Sequence, residues 1–365
     1  MKICFLNHNL KPNTGSGSFW LSFSRALKKE NPDWEFKILT SMDILSGGFV
    51  SLLFNFFKIR GIFSQSEVIH ALDGWPYGFI ATAFSVGLRK KIVITAIGTG
   101  AVQPLYRFFK KTLMIWAYKK ADKVVAISNN TKKEILKIIP NLKIEVINHG
   151  VDFEKFSSFA PTSSKTSEGR GKVTEGKQIT DLKPYILSVG TLKKRKGYEY
   201  SIETFARISK QFPELKYVIV GKGPEKDNLK YQMSNLKIEN KVVFFDKVEE
   251  DFLIALYHAA ELFILLPQDD GKDIEGFGLV FLEAAVYGLP IIATLNTSAE
   301  DAVKNGINGF LVPTNDGKKA AEAILSIIGD IGLKEKLSRA SIDFAKSMSW
   351  NKVAQYYANN IYNQF

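Results

Sequence analysis

Twelve short apolar runs, alternating with helix-like stretches, decide what this chain can fold into. The first six are Ile3–Leu6, Phe36–Leu39, Val68–Ile69, Ile92–Thr95, Val124–Ile127 and Ile144–Ile147. Between them the pattern predicts helices at Phe19–Lys29, Ile44–Phe57, Tyr77–Val86, Leu105–Lys120 and Asn130–Ile138. The runs are apolar at successive positions, as strands are when helices cover both faces of their sheet. Strands alternating with helices give βαβ units and parallel sheets, so the fold class is α/β.

The pattern occurs twice. Residues 157–183 are rich in Ser, Thr, Lys and Gly and have no apolar period, so they read as a flexible linker or long surface loop. Strand-like runs then resume at Tyr185–Val189, Tyr217–Val220, Val242–Phe245, Leu262–Leu266, Ile291–Ala293 and Phe310–Val312. The helices predicted among them are Tyr198–Gln211, Pro224–Asn235, Glu250–Ala259 and Leu279–Tyr287. A chain of 365 residues is too long for one ordinary core. The expected division is a basic domain over 1–156, the linker, a second domain over 184–348 and a terminal helix over 349–365. Ligands of open parallel sheets bind outside the carboxyl ends of the strands, and a cleft between two such domains would collect both sets.

Charge separates the halves. Up to Lys155 there are 22 Lys and Arg against 11 Asp and Glu, which accounts for +11 of the net +12. That excess predicts an anionic partner for the first half: a membrane surface, a nucleic acid or a charged substrate. The stretch Arg107–Lys120 mixes aromatics with Lys and Arg, and Phe49–Arg60 is apolar and ends in Lys58 and Arg60. Each either packs on the domain core or lies in a membrane interface with its cations on anionic headgroups. With the charge asymmetry they favour a peripheral contact with an anionic membrane surface. The basic stretches hold no recognised nucleic-acid module, so no nucleic-acid partner is expected. The single Cys4 fits a reducing cytosol and reads as a small buried filler. Asn7, His8 and Asn9 interrupt the first apolar run, so no secretory signal is expected, and no segment is long enough to span a bilayer. The expected location is the cytoplasm, at the inner face of the membrane.

Chemistry concentrates in the second half. Glu275 and Glu283 stand eight residues apart in the run Ile274-Glu275-Gly276-Phe277-Gly278-Leu279-Val280-Phe281-Leu282-Glu283. An apolar strand precedes the run and an apolar helix opens within it. The amides of Gly276, Phe277, Gly278 and Leu279 would face a bound anion at that helix N-terminus. Carboxylates beside a bound phosphate suggest a ligand with both phosphate and hydroxyls, such as a sugar nucleotide. A second loop, from Gly190 through Lys193, Lys194, Arg195 and Lys196 to Gly197, puts four cations at a strand's carboxyl end, where Arg grips phosphate as a fork and Lys as a point charge. The turn Thr14-Gly15-Ser16-Gly17-Ser18 lacks the third glycine of a dinucleotide fingerprint, so a hydride-transfer cofactor is not supported, but Gly15 and Gly17 could cradle a phosphate. His258 reads as structural, and His8, His70 and His149 lie at strand ends or turns.

On these residues the chain resembles glycosyltransferase family 4, the retaining nucleotide-sugar transferases of GT-B fold. The Glu275/Glu283 pair carries the resemblance, with Leu187-Ser188-Val189-Gly190, Arg195-Lys196-Gly197, Val218-Ile219-Val220-Gly221-Lys222-Gly223-Pro224 and Gly306-Ile307-Asn308-Gly309-Phe310-Leu311-Val312. Ser349-Trp350 is similar to the start of the terminal helix that crosses back to the first domain in that fold. The resemblance implies two Rossmann-like doubly wound domains facing a cleft. Arg195 and Lys196 would neutralise the leaving diphosphate, Glu275 would contact the donor sugar, and Glu283 would accept from ribose hydroxyls. The amides of Gly276, Phe277, Gly278 and Leu279 would meet sugar or phosphate oxygens, and Gly190, Gly15 and Gly17 are further candidate donor-binding positions. No cofactor and no metal is implied, since the nucleotide-diphospho-sugar is a co-substrate and cations can supply the positive field. The variant Asp273-Ile274-Glu275-Gly276-Phe277-Gly278 is similar to members acting on lipid-linked or polysaccharide acceptors. Ile97 stands where the family often has a His, which leaves His8 or His70 as candidate catalytic or acceptor groups and leaves a non-catalytic binding subunit as the alternative.

Overall fold

The computed structural model describes residues 1–11, 14–45, 48–153, 179–268 and 273–365, side chains of 48–54 excepted. Of the expected linker, 157–178 lies outside the described residues, and 179–182 form a helical turn with Ile179 and Leu182 buried. Contacts divide the chain into two units. The first is Met1–Gly150 with Gly271–Phe277 and Met348–Phe365, and the second is Val151–Asp270 with Gly278–Ser347. The segment 271–277 therefore groups with the first unit, although the strand before it and the helix after it belong to the second.

The first unit is built on six parallel strands: β1 (Lys2–Leu6), β2 (Glu35–Leu39), β3 (Val68–Ala71), β4 (Lys91–Ala96), β5 (Lys123–Ala126) and β6 (Glu145–Val146). Their order is β2-β1-β3-β4-β5-β6. Cys4 and Leu6 face one core while Ile3 and Phe5 face the other, which is why β1 reads as a continuous apolar run. One face is covered by the helices Gly48–Ser64, Phe79–Phe84 and Phe108–Lys120, and the other by Gly15–Glu30 and the terminal Trp350–Tyr356. The predicted helix Ile44–Phe57 is two, Ser41–Leu45 and Gly48–Ser64. The one predicted from Tyr77 starts at Phe79, because the Asp73 side chain caps a wide turn over Gly74–Gly78 by accepting from the Gly74 amide.

His70 is a structural group, the role the sequence favours for it over its alternative as a catalytic or acceptor group. It is fully buried, Nδ1 meets the Tyr362 hydroxyl at 2.6 Å, and Nε2 meets Thr95 Oγ1 at 2.8 Å. Thr95 in turn meets the Tyr357 hydroxyl at 3.1 Å. Both ring nitrogens are thus spent on fastening the C-terminal segment to β3 and β4, and neither can reach a substrate.

The second unit repeats the architecture with β7 (Tyr185–Val189), β8 (Lys216–Val220), β9 (Val242–Phe245), β10 (Phe263–Ile264), β11 (Ile291–Thr294) and β12 (Gly309–Val312). All pairs are parallel in the order β12-β11-β10-β7-β8-β9. Strand order reverses between β7 and β10, and the loops leaving these two strands diverge there, which is where such sheets bind ligands.

Candidate functional site

The cationic loop leaves β7 at that switch point. Lys194–Lys196 form a tight turn closed by Gly197 in the left-handed conformation (φ 65°). A Cβ on Gly197 would stand 1.7 Å from the Leu266 carbonyl oxygen, so only glycine lets the loop lie against the segment leaving β10. The Gln268 amide donates to the Arg195 carbonyl at 2.7 Å and ties the two segments together. Lys196 is 7% exposed, an unusual burial for lysine, and its Nζ lies 3.9 Å from where a Gly190 Cβ would be. Tyr198 donates to the Gly190 carbonyl at 3.0 Å and holds the strand end in place. Arg195 is half-buried, and Thr191 is exposed.

Beside this loop, at the carboxyl ends of β7, β8 and β9, lies a cavity of about 580 Å³ lined by Gly190, Thr191, Gly221, Lys222, Asp246 and Leu253 among others. Such a volume accommodates a small ligand of nucleotide size. The helix Leu279–Val286 has Gly278 as its N-cap (φ 81°), with no side chain capping it. Glu283 sits on its second turn and is half-buried. The Tyr257 hydroxyl donates to Glu283 Oε2 at 3.0 Å. Burial and the neighbouring carboxylate hold that hydroxyl well above its ordinary pKa, so it stays a donor. Tyr257 also stacks on Tyr287, with centroids 5.4 Å apart and planes at 11°. The sequence did not single out Tyr257, because a tyrosine in an apolar helix looks like any core residue.

In the first unit Glu275 is 7% exposed on the segment 273–277. That segment packs on the loop leaving β4. A Cβ on Gly98 would lie 2.7 Å from Gly276 Cα, and Thr99 Oγ1 donates to Asp273 Oδ1 at 2.9 Å and to the Ile274 carbonyl at 3.1 Å. Phe277 lies 5.5 Å from the His149 ring. Ile97, in the position of the family's His, has a backbone amide that helps hold the Asp73 carboxylate. Burial raises the Asp73 pKa to about 7 despite that bond and the one from Gly74. Asp73 escaped the sequence reading, although a carboxylate directly after a strand and before Gly-Trp-Pro is a turn-capping signature. His8 is exposed, its Nδ1 3.1 Å from the Tyr77 hydroxyl, at the carboxyl edge of the first sheet. Gly15 starts the helix Gly15–Glu30, capped by Thr14, and Gly17 packs on the Lys11 backbone. The structure thus brings Gly190, Arg195 and Lys196 together in the second unit, with Gly278, Leu279 and Glu283 on the neighbouring helix of that unit. Glu275, Gly276, Phe277, His8, Gly15 and Gly17 belong to the first unit. Among the described residues no group of three or more His, Cys, Asp or Glu is placed to hold a metal ion.

Two doubly wound parallel sheets, the second with a cationic loop and an uncapped helix at its switch point, define a glycosyltransferase of GT-B fold. Two family models match the chain, Glycosyltransferase Family 4 over residues 36–155 and Glycosyl transferases group 1 over residues 172–344. The chain belongs to glycosyltransferase family 4. An uncharacterised glycosyltransferase of Methanocaldococcus jannaschii is 26% identical over 95% of this chain and 79% of its own length. The N-acetyl-alpha-D-glucosaminyl L-malate synthase of Bacillus anthracis is 25% identical over 80% of this chain and 73% of its own length. Among solved structures, Anabaena HepE in complex with UDP superposes over 100% of both chains with a TM-score of 0.77 at 20% identity. The sucrose-phosphate synthase of Thermosynechococcus elongatus does so over 100% of this chain and 98% of its own, with a TM-score of 0.78 at 18% identity. No helix among the described residues is long and apolar enough to cross a membrane.

Proposed function

We propose that the protein moves a sugar from a nucleotide-diphospho-sugar to a glycan or lipid-linked acceptor with retention of configuration, without a metal, while peripheral to an anionic membrane. The observation that carries the donor half is the switch-point assembly of the second unit: buried Lys196 beside Gly190, the Arg195 loop tied to Gln268, and the open cavity between β7 and β9. HepE, a protein of the same fold, was solved with UDP-glucose, which supports a uridine or related diphosphate donor here.

In this reading Arg195 and Lys196 take up the charge that develops on the diphosphate as the C1–O bond breaks, and the amides opening Leu279–Val286 add to that field. Glu283, aimed by Tyr257, accepts from the ribose hydroxyls. The acceptor oxygen bonds to C1 on the face the diphosphate leaves, and its proton passes to the departing phosphate oxygen. Glu275 contacts the donor sugar. The excess of cations in the first half and the likeness of the Asp273–Gly278 run to members with lipid-linked acceptors support the acceptor and membrane parts.

A panel of nucleotide diphosphates and their sugars, read by thermal shift, tests the donor half, because a ligand at about a hundred times its Kd stabilises the fold by about 2.7 kcal/mol. Transfer to candidate acceptors, with the anomeric proton followed by NMR, tests retention. A chain that binds a nucleotide sugar yet neither transfers nor hydrolyses it would be the non-catalytic subunit instead. A chain whose melting no nucleotide diphosphate moves would overturn the proposal.

A further inference from the structure

We propose that the exposed start of the helix Phe108–Lys120 is a docking surface that seats the first unit on an anionic lipid bilayer. Phe108 and Phe109 are 86% and 81% exposed, and Tyr106 and Leu113 beside them are also in solvent. Arg107, Lys110 and Lys111 are exposed on the same turns. Two adjacent phenylalanines left in water are unfavourable unless something covers them.

The chemistry around them points to lipid. From Gly74 to Ala121 the chain has eight Lys and Arg and no Asp or Glu. Lys110 Nζ lies 4.9 Å from the Trp75 ring, Trp75 stacks on Phe79 at 5.7 Å, and Phe79 meets Trp116 at 6.1 Å. These three rings are half-buried and form a ladder with two indoles, which Lys110, next in sequence to the exposed pair, joins through its contact with Trp75. Apolar rings at the tip, tryptophans behind them and cations alongside match the layering of a bilayer interface: acyl chains, carbonyl region and anionic headgroups. A second copy of this chain would bring the same cations against each other.

The tip follows β4 through residues 97–106, so it stands at the carboxyl edge of the first sheet, with Asp73 and the Gly98–Gly100 loop. Docking there turns that edge toward the bilayer. The inference rests on the membrane part of the proposed function and names the surface that would carry it; it is independent of the donor chemistry.

The test is flotation of the full chain with vesicles of phosphatidylcholine alone or mixed with phosphatidylglycerol. Three proteins are compared: the parent, Phe108→Ala with Phe109→Ala, and Lys110→Gln with Lys111→Gln. All four positions are exposed, so folding should survive, and the nucleotide-diphosphate thermal shift checks it. The parent should bind the mixed vesicles and not the neutral ones. Removing both rings should weaken binding at least about tenfold, and each lost charge about fivefold. Loss of binding at raised salt is expected for the charge part. The proposal is overturned if the parent fails to bind mixed vesicles, if neutral vesicles bind equally well, or if both variants bind like the parent. A parent dimer in sedimentation that the phenylalanine variant abolishes, with no vesicle binding, would assign the surface to a second copy. Vesicle binding without any nucleotide-dependent shift would sink the proposed donor chemistry and leave this docking surface standing.

Discussion

Replacing His149 with Phe should make the protein more stable, and the gain should grow as the pH falls. The imidazole is 5% exposed and stacks on Phe19 at 4.6 Å with planes at 28°, with Trp350 5.8 Å away. Among the described residues neither ring nitrogen has a hydrogen-bond partner. Leaving such a group unsatisfied costs about 1–3 kcal/mol. Burial lowers its pKa from 6.5 to about 3. Between those values the unfolded imidazole takes up a proton that the folded one refuses, so stability is present above the unfolded pKa and is lost as pH falls. At about pH 5 the gap to the unfolded value corresponds to about 2 kcal/mol. A phenyl ring keeps the stack and brings no nitrogen. The variant should therefore gain about 1–3 kcal/mol near neutrality and about 2 kcal/mol more at about pH 5.

Urea unfolding at the two pH values, with unchanged m, measures both numbers. The difference between the two proteins is the informative quantity, because other groups titrate in the same range. His70, also lowered to about 3, acts in the same direction as His149. Asp73, raised to about 7, acts in the opposite one: its folded form keeps a proton that the unfolded form releases above its ordinary value, so its contribution is lost as pH rises. Both cancel in the comparison. A gain identical at the two pH values, or a Phe variant less stable near neutrality, would refute the reasoning.

Three other substitutions probe the second unit. Lys196→Ala removes a buried cation from the loop leaving β7; if that loop holds the leaving diphosphate as proposed, kcat/KM should fall by about a hundredfold to a thousandfold, as loss of a charge-stabilising group does, while circular dichroism stays unchanged. Tyr257→Phe keeps the stack on Tyr287 but loses the bond to Glu283, worth about 1.5–3 kcal/mol for a charged acceptor; donor KM should rise at least about tenfold with kcat nearly constant, and an unchanged KM would dismiss Tyr257 as a positioning residue. Gly197→Ala meets both the left-handed backbone and the Leu266 carbonyl; it should destabilise by about 3 kcal/mol or more and abolish the nucleotide-dependent thermal shift, and a loss below about 1 kcal/mol would show that the loop is not pressed on the β10 segment.

Much of the fold was legible because each doubly covered strand writes itself as a continuous apolar run: β7 reads Tyr-Ile-Leu-Ser-Val and is buried at every position. The place of the cationic loop was legible too: four cations in a row are most often a solvated surface, but a glycine-bracketed run directly after an apolar strand marks the strand's carboxyl end, where the structure puts it. What stayed hidden depends on partners distant in sequence. His70 looked like a catalytic candidate because it ends a strand, and only the return of Tyr362 from 292 residues away shows that its nitrogens are spent. Tyr257 acquires meaning only through Glu283, 26 residues on. The grouping of 271–277 with the first unit depends on Gly98 and Gly276 fitting backbone to backbone, a contact that leaves no periodic trace.

That contact bears on the missing histidine. A family His would bring a polar side chain to the loop leaving β4; here that loop has the Ile97 side chain, and the turn after β3 brings a half-buried carboxyl whose pKa is raised to about 7 by desolvation. The edge thus keeps polar groups, and one of them, the Asp73 carboxyl bonded to the Ile97 amide, carries the opposite charge preference to a histidine. If acceptor chemistry at this edge uses Asp73, transfer should fall with an apparent pKa near 7 as it changes between hydroxyl donor and acceptor-only carboxylate, and Asp73→Asn should flatten that profile. A profile identical in the two proteins would return Asp73 to the role its bonds to Gly74 and Ile97 already explain, that of a turn cap.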